Sequence, residues 1–110
     1  MKILKILLTV FFFIAIVVHI IGLVRPFTEE AVWSHWVHIF SYAWCCLSMW
    51  RGGKWLLFTG VLAAVYPWCY HVNCFYQSIC MGGFNFICFL VIVVMPLSVA
   101  ITYFTRPSKL

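Results

Sequence analysis

Apolar residues run along this chain in four long stretches, separated by three short connections. The first stretch is Leu4 to Val24, ended by Arg25-Pro26-Phe27-Thr28-Glu29-Glu30. Pro26 opposes helix continuation, and Thr28 is placed to cap a following helix with two acids in its first turn. Val32 to Trp50 is the second stretch, closed by the polar turn Arg51-Gly52-Gly53-Lys54. Trp55 to Val72 is the third, and the uncharged segment Asn73 to Gly83 reads as a loop before the fourth, Phe84 to Phe104. About 20 apolar residues cross a hydrocarbon core as a helix. The pattern predicts an all-α integral membrane protein with one transmembrane domain over residues 1–110. Its expected form is a four-helix antiparallel bundle with spans 4–24, 32–50, 55–72 and 84–104. Ser34, Ser41 and Ser48 recur every seven residues, and Gly60 and Ala64 form a small-xxx-small pair. These small residues mark seams where helix backbones approach closely.

Composition agrees with this reading. Of 110 residues, 66% are hydrophobic and 8% charged, against about 25% charged in soluble domains. The net charge of +5 does not indicate nucleic acid, because the basic residues sit between apolar runs and not on one face. With the N-terminus inside, inner segments hold Lys2, Lys5, Arg51, Lys54, Arg106 and Lys109, while outer segments hold Arg25. The positive-inside rule then predicts both termini in the cytoplasm, at a cell (inner) membrane. Trp33, Trp36, Trp68 and Tyr70 fall at the outer interface, and Trp50, Trp55 and Tyr103 at the inner one, where amphipathic rings are favoured. Met1-Lys2-Ile3-Leu4-Lys5 resembles the start of a secretory signal. The following apolar run is too long and lacks a small-x-small site, so it reads as an uncleaved helix. Ser108-Lys109-Leu110 matches a peroxisomal address in three residues only, too little to outweigh the spans.

The chemistry lies in the histidines. His19, His35, His38 and His71 are far apart in sequence, yet the topology puts all four within roughly 10 Å of the outer interface. His35, His38, Tyr42, Cys45, Cys46 and Met49 share one face of the second helix, and such a polar, soft stripe should face protein. His71 shares a face with Gly60, Ala64 and Pro67; His19 is flanked by Ala15 and Gly22; Asn85, Cys88, Met95 and Thr102 recur at helical spacing on the fourth helix. Three functional readings follow. Haem b held by two of His19, His38 and His71 is one. A copper or zinc site from His35, His38, His71 and His19, with Glu29 as a further ligand, is the second. A proton or quinone site at His19 and His38 is the third. Against these stands a plain interfacial role, since His-x-x-His alone is not a specific motif and imidazoles near an interface reach water.

Cys45, Cys46 and Cys88 read as small packing residues. Cys74 and Cys80 could close a disulfide across the outer loop. The spans contain no Asp, Glu, Lys or Arg, which argues against an ion pump, and no phosphate loop, catalytic triad or HExxH occurs. Glu29 and Glu30 look like a helix N-terminal charge pair. The expected function is therefore a small, multi-pass, non-enzymatic accessory subunit of a larger respiratory or redox membrane complex, binding haem or a transition metal near its outer face. Its expected partners are lipid and other membrane subunits or further copies of itself. The alternative is a small oligomeric transporter or channel for a metal or neutral solute.

Overall fold

The computed structural model describes residues 1–26 and 28–105. It is all-α, with four helices: α1 (Lys2–Val24), α2 (Val32–Arg51), α3 (Lys54–Cys80) and α4 (Phe86–Phe104). Arg106, Lys109 and the Ser108-Lys109-Leu110 tripeptide, used above for topology and targeting, lie outside the described residues.

Three of the helices, α1, α3 and α4, are long and apolar enough to cross a membrane. The fourth expected span, α2, has the length at 20 residues but not the apolarity. The reason is its place in the bundle: α2 packs against each of the other three helices. Its inward face is Ser34, His35, His38, Ser41, Tyr42, Cys45, Ser48 and Met49, all buried, while Trp33, Trp36, Phe40, Trp44, Leu47 and Trp50 point outward. Polar residues thus face protein and apolar ones face out, the reverse of a soluble helix.

Two boundaries differ from expectation. Thr28 does not cap α2; its hydroxyl accepts from the Glu30 backbone N–H at 3.3 Å, and Ala31 takes the N-cap position. The helix begins after Glu29 and Glu30, so neither acid is in its first turn. The segment Asn73–Cys80, expected as a loop, continues α3. Lack of charge suggested a loop there, but nothing in it breaks a helix until Gly82, whose φ of 82° needs the left-handed freedom of glycine. This extension corrects the disulfide expectation as well. Cys74 and Cys80 stand six residues apart on one helix and are free thiols. Six helical residues rise about 9 Å, beyond the roughly 7 Å a disulfide tolerates between Cα atoms. Asn85, expected on the inner face of the last helix, instead caps α4, its side-chain oxygen accepting from Cys88 N–H at 3.1 Å.

The centre is filled by Phe12, Tyr42, Met49 and Met95, each no more than 1% exposed. The small-residue seam is present: a Cβ added at Gly60 would stand 3.2 Å from Ser48 Oγ, so α2 and α3 approach closely there. Cys45 and Cys46 lie in seams, donating to Gly60 O and Thr9 Oγ1.

Polar donors are paired between helices. Trp44 Nε1 donates to Thr59 Oγ1 at 2.8 Å and Trp50 Nε1 to Thr9 Oγ1 at 2.6 Å. Each threonine hydroxyl in turn donates to the carbonyl four residues back. In α4, Pro96 has no N–H for the Ile92 carbonyl, and Trp68 Nε1 from α3 fills that vacancy at 3.1 Å. An unpaired carbonyl in apolar surroundings costs about 1–3 kcal/mol. Trp68→Phe should therefore lower stability in detergent by about that amount. Adding Pro96→Ala should restore much of the loss, because residue 96 then supplies its own N–H; unfolding midpoints of the single and double variants check this.

Candidate functional site

All four histidines are buried, with His19 and His71 at 8% exposure, His35 at 3% and His38 at 0%. They form one cluster, drawn from three helices. His19 comes from the last turns of α1, His35 and His38 from the first turns of α2, and His71 from α3. The His19 and His38 rings stack at 4.4 Å with planes 7° apart, His19 and His35 meet edge-on at 5.0 Å, and His38 and His71 edge-on at 5.2 Å.

The hub is a residue that the sequence pattern did not single out. Glu30, in the α1–α2 connection, folds its carboxylate inward until the side chain is 7% exposed. Oε2 lies 2.8 Å from His38 Nδ1 and 3.7 Å from His19 Nδ1, and Oε1 lies 3.7 Å from His35 Nδ1. Ser34 Oγ donates to Oε2 at 2.7 Å. Ser34 has one hydroxyl proton, and the carboxylate takes it, so Tyr66 O–H, 2.7 Å away, is the donor to Ser34. Three imidazoles and a Tyr–Ser chain thus converge on one carboxylate. Glu29, the acid considered as a ligand above, is exposed and outside the cluster. A signal for Glu30 did exist: positions 30, 34 and 38 share one helical face if the α2 register is carried one turn back. The non-helical connection concealed it.

Burial alone would push the Glu30 carboxyl up. The hydrogen bonds from His38 and Ser34 and the nearby imidazoles outweigh burial and hold it down at about 2. Glu30 is therefore an anion in a site with little water. Among the described residues its ion-pair partners are histidines alone, so the charge is offset only by a proton on imidazole or by a bound cation.

His19 Nδ1, His35 Nδ1 and a Glu30 oxygen lie within 4.8 Å of one another and could hold a metal ion. His19 Nδ1 and His35 Nδ1 are hydrogen-bonded at 2.8 Å, and each stands 3.7 Å from a different Glu30 oxygen, His19 from Oε2 and His35 from Oε1. The 3.7 Å separations are near the roughly 3.4 Å edge of a tetrahedron with bonds of about 2.0–2.1 Å, and the 2.8 Å separation is shorter than it, so a bound ion would replace the His19–His35 hydrogen bond and part the two rings. His38 donates from Nδ1 to both Glu30 and the Ser34 carbonyl, the latter at 2.8 Å, which orients the carboxylate. The notch for His35 is Gly22: a Cβ there would come 2.6 Å from His35 Cε1.

Haem is a poor fit. Axial imidazoles approach iron from opposite faces of the macrocycle, whereas His19 and His38 lie face to face in contact, with no room for a ring between them. Two apolar grooves, one of about 520 Å³ between α3 and α4 and one of about 400 Å³ between α1 and α2, are lined by no histidine.

No family model, curated relative or solved structure matches this chain.

The Glu30 carboxyl lies below its ordinary value in the folded protein. Its contribution to stability is therefore complete above about pH 4.5 and lost as pH falls toward 2. Thermal unfolding in detergent should show stability declining across that window, and Glu30→Gln should flatten the decline.

Proposed function

We propose that this chain is a small four-span membrane protein that holds a divalent transition metal, zinc or copper(II), at His19, His35 and Glu30. The observation that carries the reading is the buried Glu30 carboxylate, which faces imidazole nitrogens and has no Lys or Arg partner among the described residues. Two imidazoles with one carboxylate suit those metals, and three protein ligands leave a fourth position for water or a partner's side chain. The outward apolar face of α2 supports its crossing the bilayer as the second of four antiparallel spans, shielded on its polar side by its neighbours. The basic residues favour both termini in the cytoplasm, which puts the metal near the outer face of a cell membrane.

A resident ion is favoured over a conducted one, because the fully buried Phe12, Tyr42, Met49 and Met95 form the core of the same bundle. The role that fits is an accessory subunit offering its metal to a larger membrane complex.

Purified protein, loaded with zinc or copper(II), should hold one equivalent by elemental analysis. Glu30→Gln and His35→Ala should lose it. Finding no stoichiometric metal in the wild type, or full loading in Glu30→Gln, would overturn the reading. Gly22→Ala, which displaces the His35 ring, should weaken binding by about 10–100-fold with helix content unchanged. Fusions of cytoplasm-dependent reporters to each terminus should both be active.

A further inference from the structure

His38 has a second ring nitrogen that the Glu30 centre does not use. Nδ1 faces two groups that can only accept, Glu30 Oε2 and Ser34 O, each at 2.8 Å, so Nδ1 carries the proton. Where the ion of the proposed Glu30 centre offsets the carboxylate charge, His38 takes no second proton and Nε2 presents a lone pair; that atom is buried without a hydrogen-bond partner. The same deduction applies to His71. Its Nδ1 lies 2.7 Å from the Pro67 carbonyl, an acceptor, so the proton is there and Nε2 is again a lone pair. A ring N–H tied to a carbonyl or carboxylate, with the opposite nitrogen left bare, is how proteins set the tautomer of a metal-ligating histidine. Two lone pairs cannot bond to each other. The two rings meet edge-on with centroids 5.2 Å apart, close enough for one ion to accept from both.

The surroundings select which one. Tyr70 lies against both rings, 5.0 Å from His38 and 5.3 Å from His71 between ring centroids. Glu30 lies on the Nδ1 side of His38, so no carboxylate faces Nε2. Desolvating a doubly charged ion where no anion is a ligand costs far more than desolvating a singly charged one. Neutral imidazole suits copper, and aromatic faces tolerate a single positive charge.

We infer that His38 Nε2 and His71 Nε2 form a second cation position, for a monovalent soft ion such as copper(I), separate from the divalent centre at Glu30. The two positions share His38, which serves the carboxylate through one nitrogen and the second ion through the other.

The test uses the full-length protein in detergent, with its thiols alkylated and the Glu30 centre saturated with zinc. Copper(I) is delivered anaerobically from a bicinchoninate buffer. One equivalent should bind, with nitrogen and no sulfur in its X-ray absorption shell. His71→Ala should weaken binding by more than about 100-fold and leave zinc stoichiometry intact. His71→Met should keep the ion and exchange one nitrogen for one sulfur, which guards against mere loss of fold. Undiminished copper(I) binding in His71→Ala, a sulfur shell in the wild type, or one-for-one displacement of zinc would each overturn the proposal. Failure of zinc to bind the wild type would count against the Glu30 centre instead, and the copper(I) arm would then be read on the zinc-free protein.

Discussion

A carboxylate among apolar helices is expensive unless each of its oxygens is engaged, and the Glu30 side chain governs how the histidine end of this bundle is built. Oε2 accepts from both Ser34 and His38 and stands opposite His19, and Oε1 stands opposite His35 at 3.7 Å. Those partners come from α1 and α2, and Tyr66 brings α3 into the same network through Ser34. Removing Glu30 would take the acceptor from the Ser34 hydroxyl and one of two acceptors from the His38 N–H, and a buried donor left unpaired in low dielectric costs more than its bond contributes when made.

The same constraint operates away from the histidines. Trp44, Trp50 and Trp68 each send an indole N–H to an oxygen on another helix. Thr9 and Thr59 serve as relays, accepting from tryptophan and donating to a carbonyl in their own helix. Trp68 repairs the gap that Pro96 opens in α4. Small residues set the separation of the helices, as at Gly60 against Ser48 and Gly22 against His35. Close packing at small residues and donor pairing between helices therefore tie the bundle together.

Histidine 38 joins the two proposed ion positions. It is the most buried of the four histidines, and its protonated nitrogen is committed to Glu30 and Ser34. That commitment fixes its tautomer and hence the character of Nε2. The Glu30 carboxylate at Nδ1 and the absence of any hydrogen-bond partner at Nε2 give the two nitrogens of one imidazole different electrostatic environments. The difference in charge between those environments is what separates a divalent from a monovalent preference.

Helix number and the positions of α1 and α4 were legible in the sequence, because apolar runs bounded by charge or proline leave a chain few alternatives. The inward direction of His35, His38, Tyr42, Cys45 and Met49 was legible from helical periodicity, as was the shared level of the four histidines. The extent of α3 was not: an uncharged segment without glycine or proline can be loop or helix, and its contacts decide. Cys74 and Cys80 lost their proposed bridge for that reason. Glu30 shares a helical face with Ser34 and His38 only if the α2 register is carried back into a connection that is not helical, so periodicity did not select it, and Glu29 beside it was the acid considered as a ligand. Only the path of the α1–α2 connection carries Glu30 inward and leaves Glu29 exposed. The tautomers of His38 and His71 likewise follow from which oxygens lie near each ring nitrogen, a matter of distances between residues. Composition and period thus determined the helices and which faces turn inward, because burial is a property of a face. Tertiary structure decided which charge is buried and what surrounds it, because electrostatics depends on the positions of individual atoms.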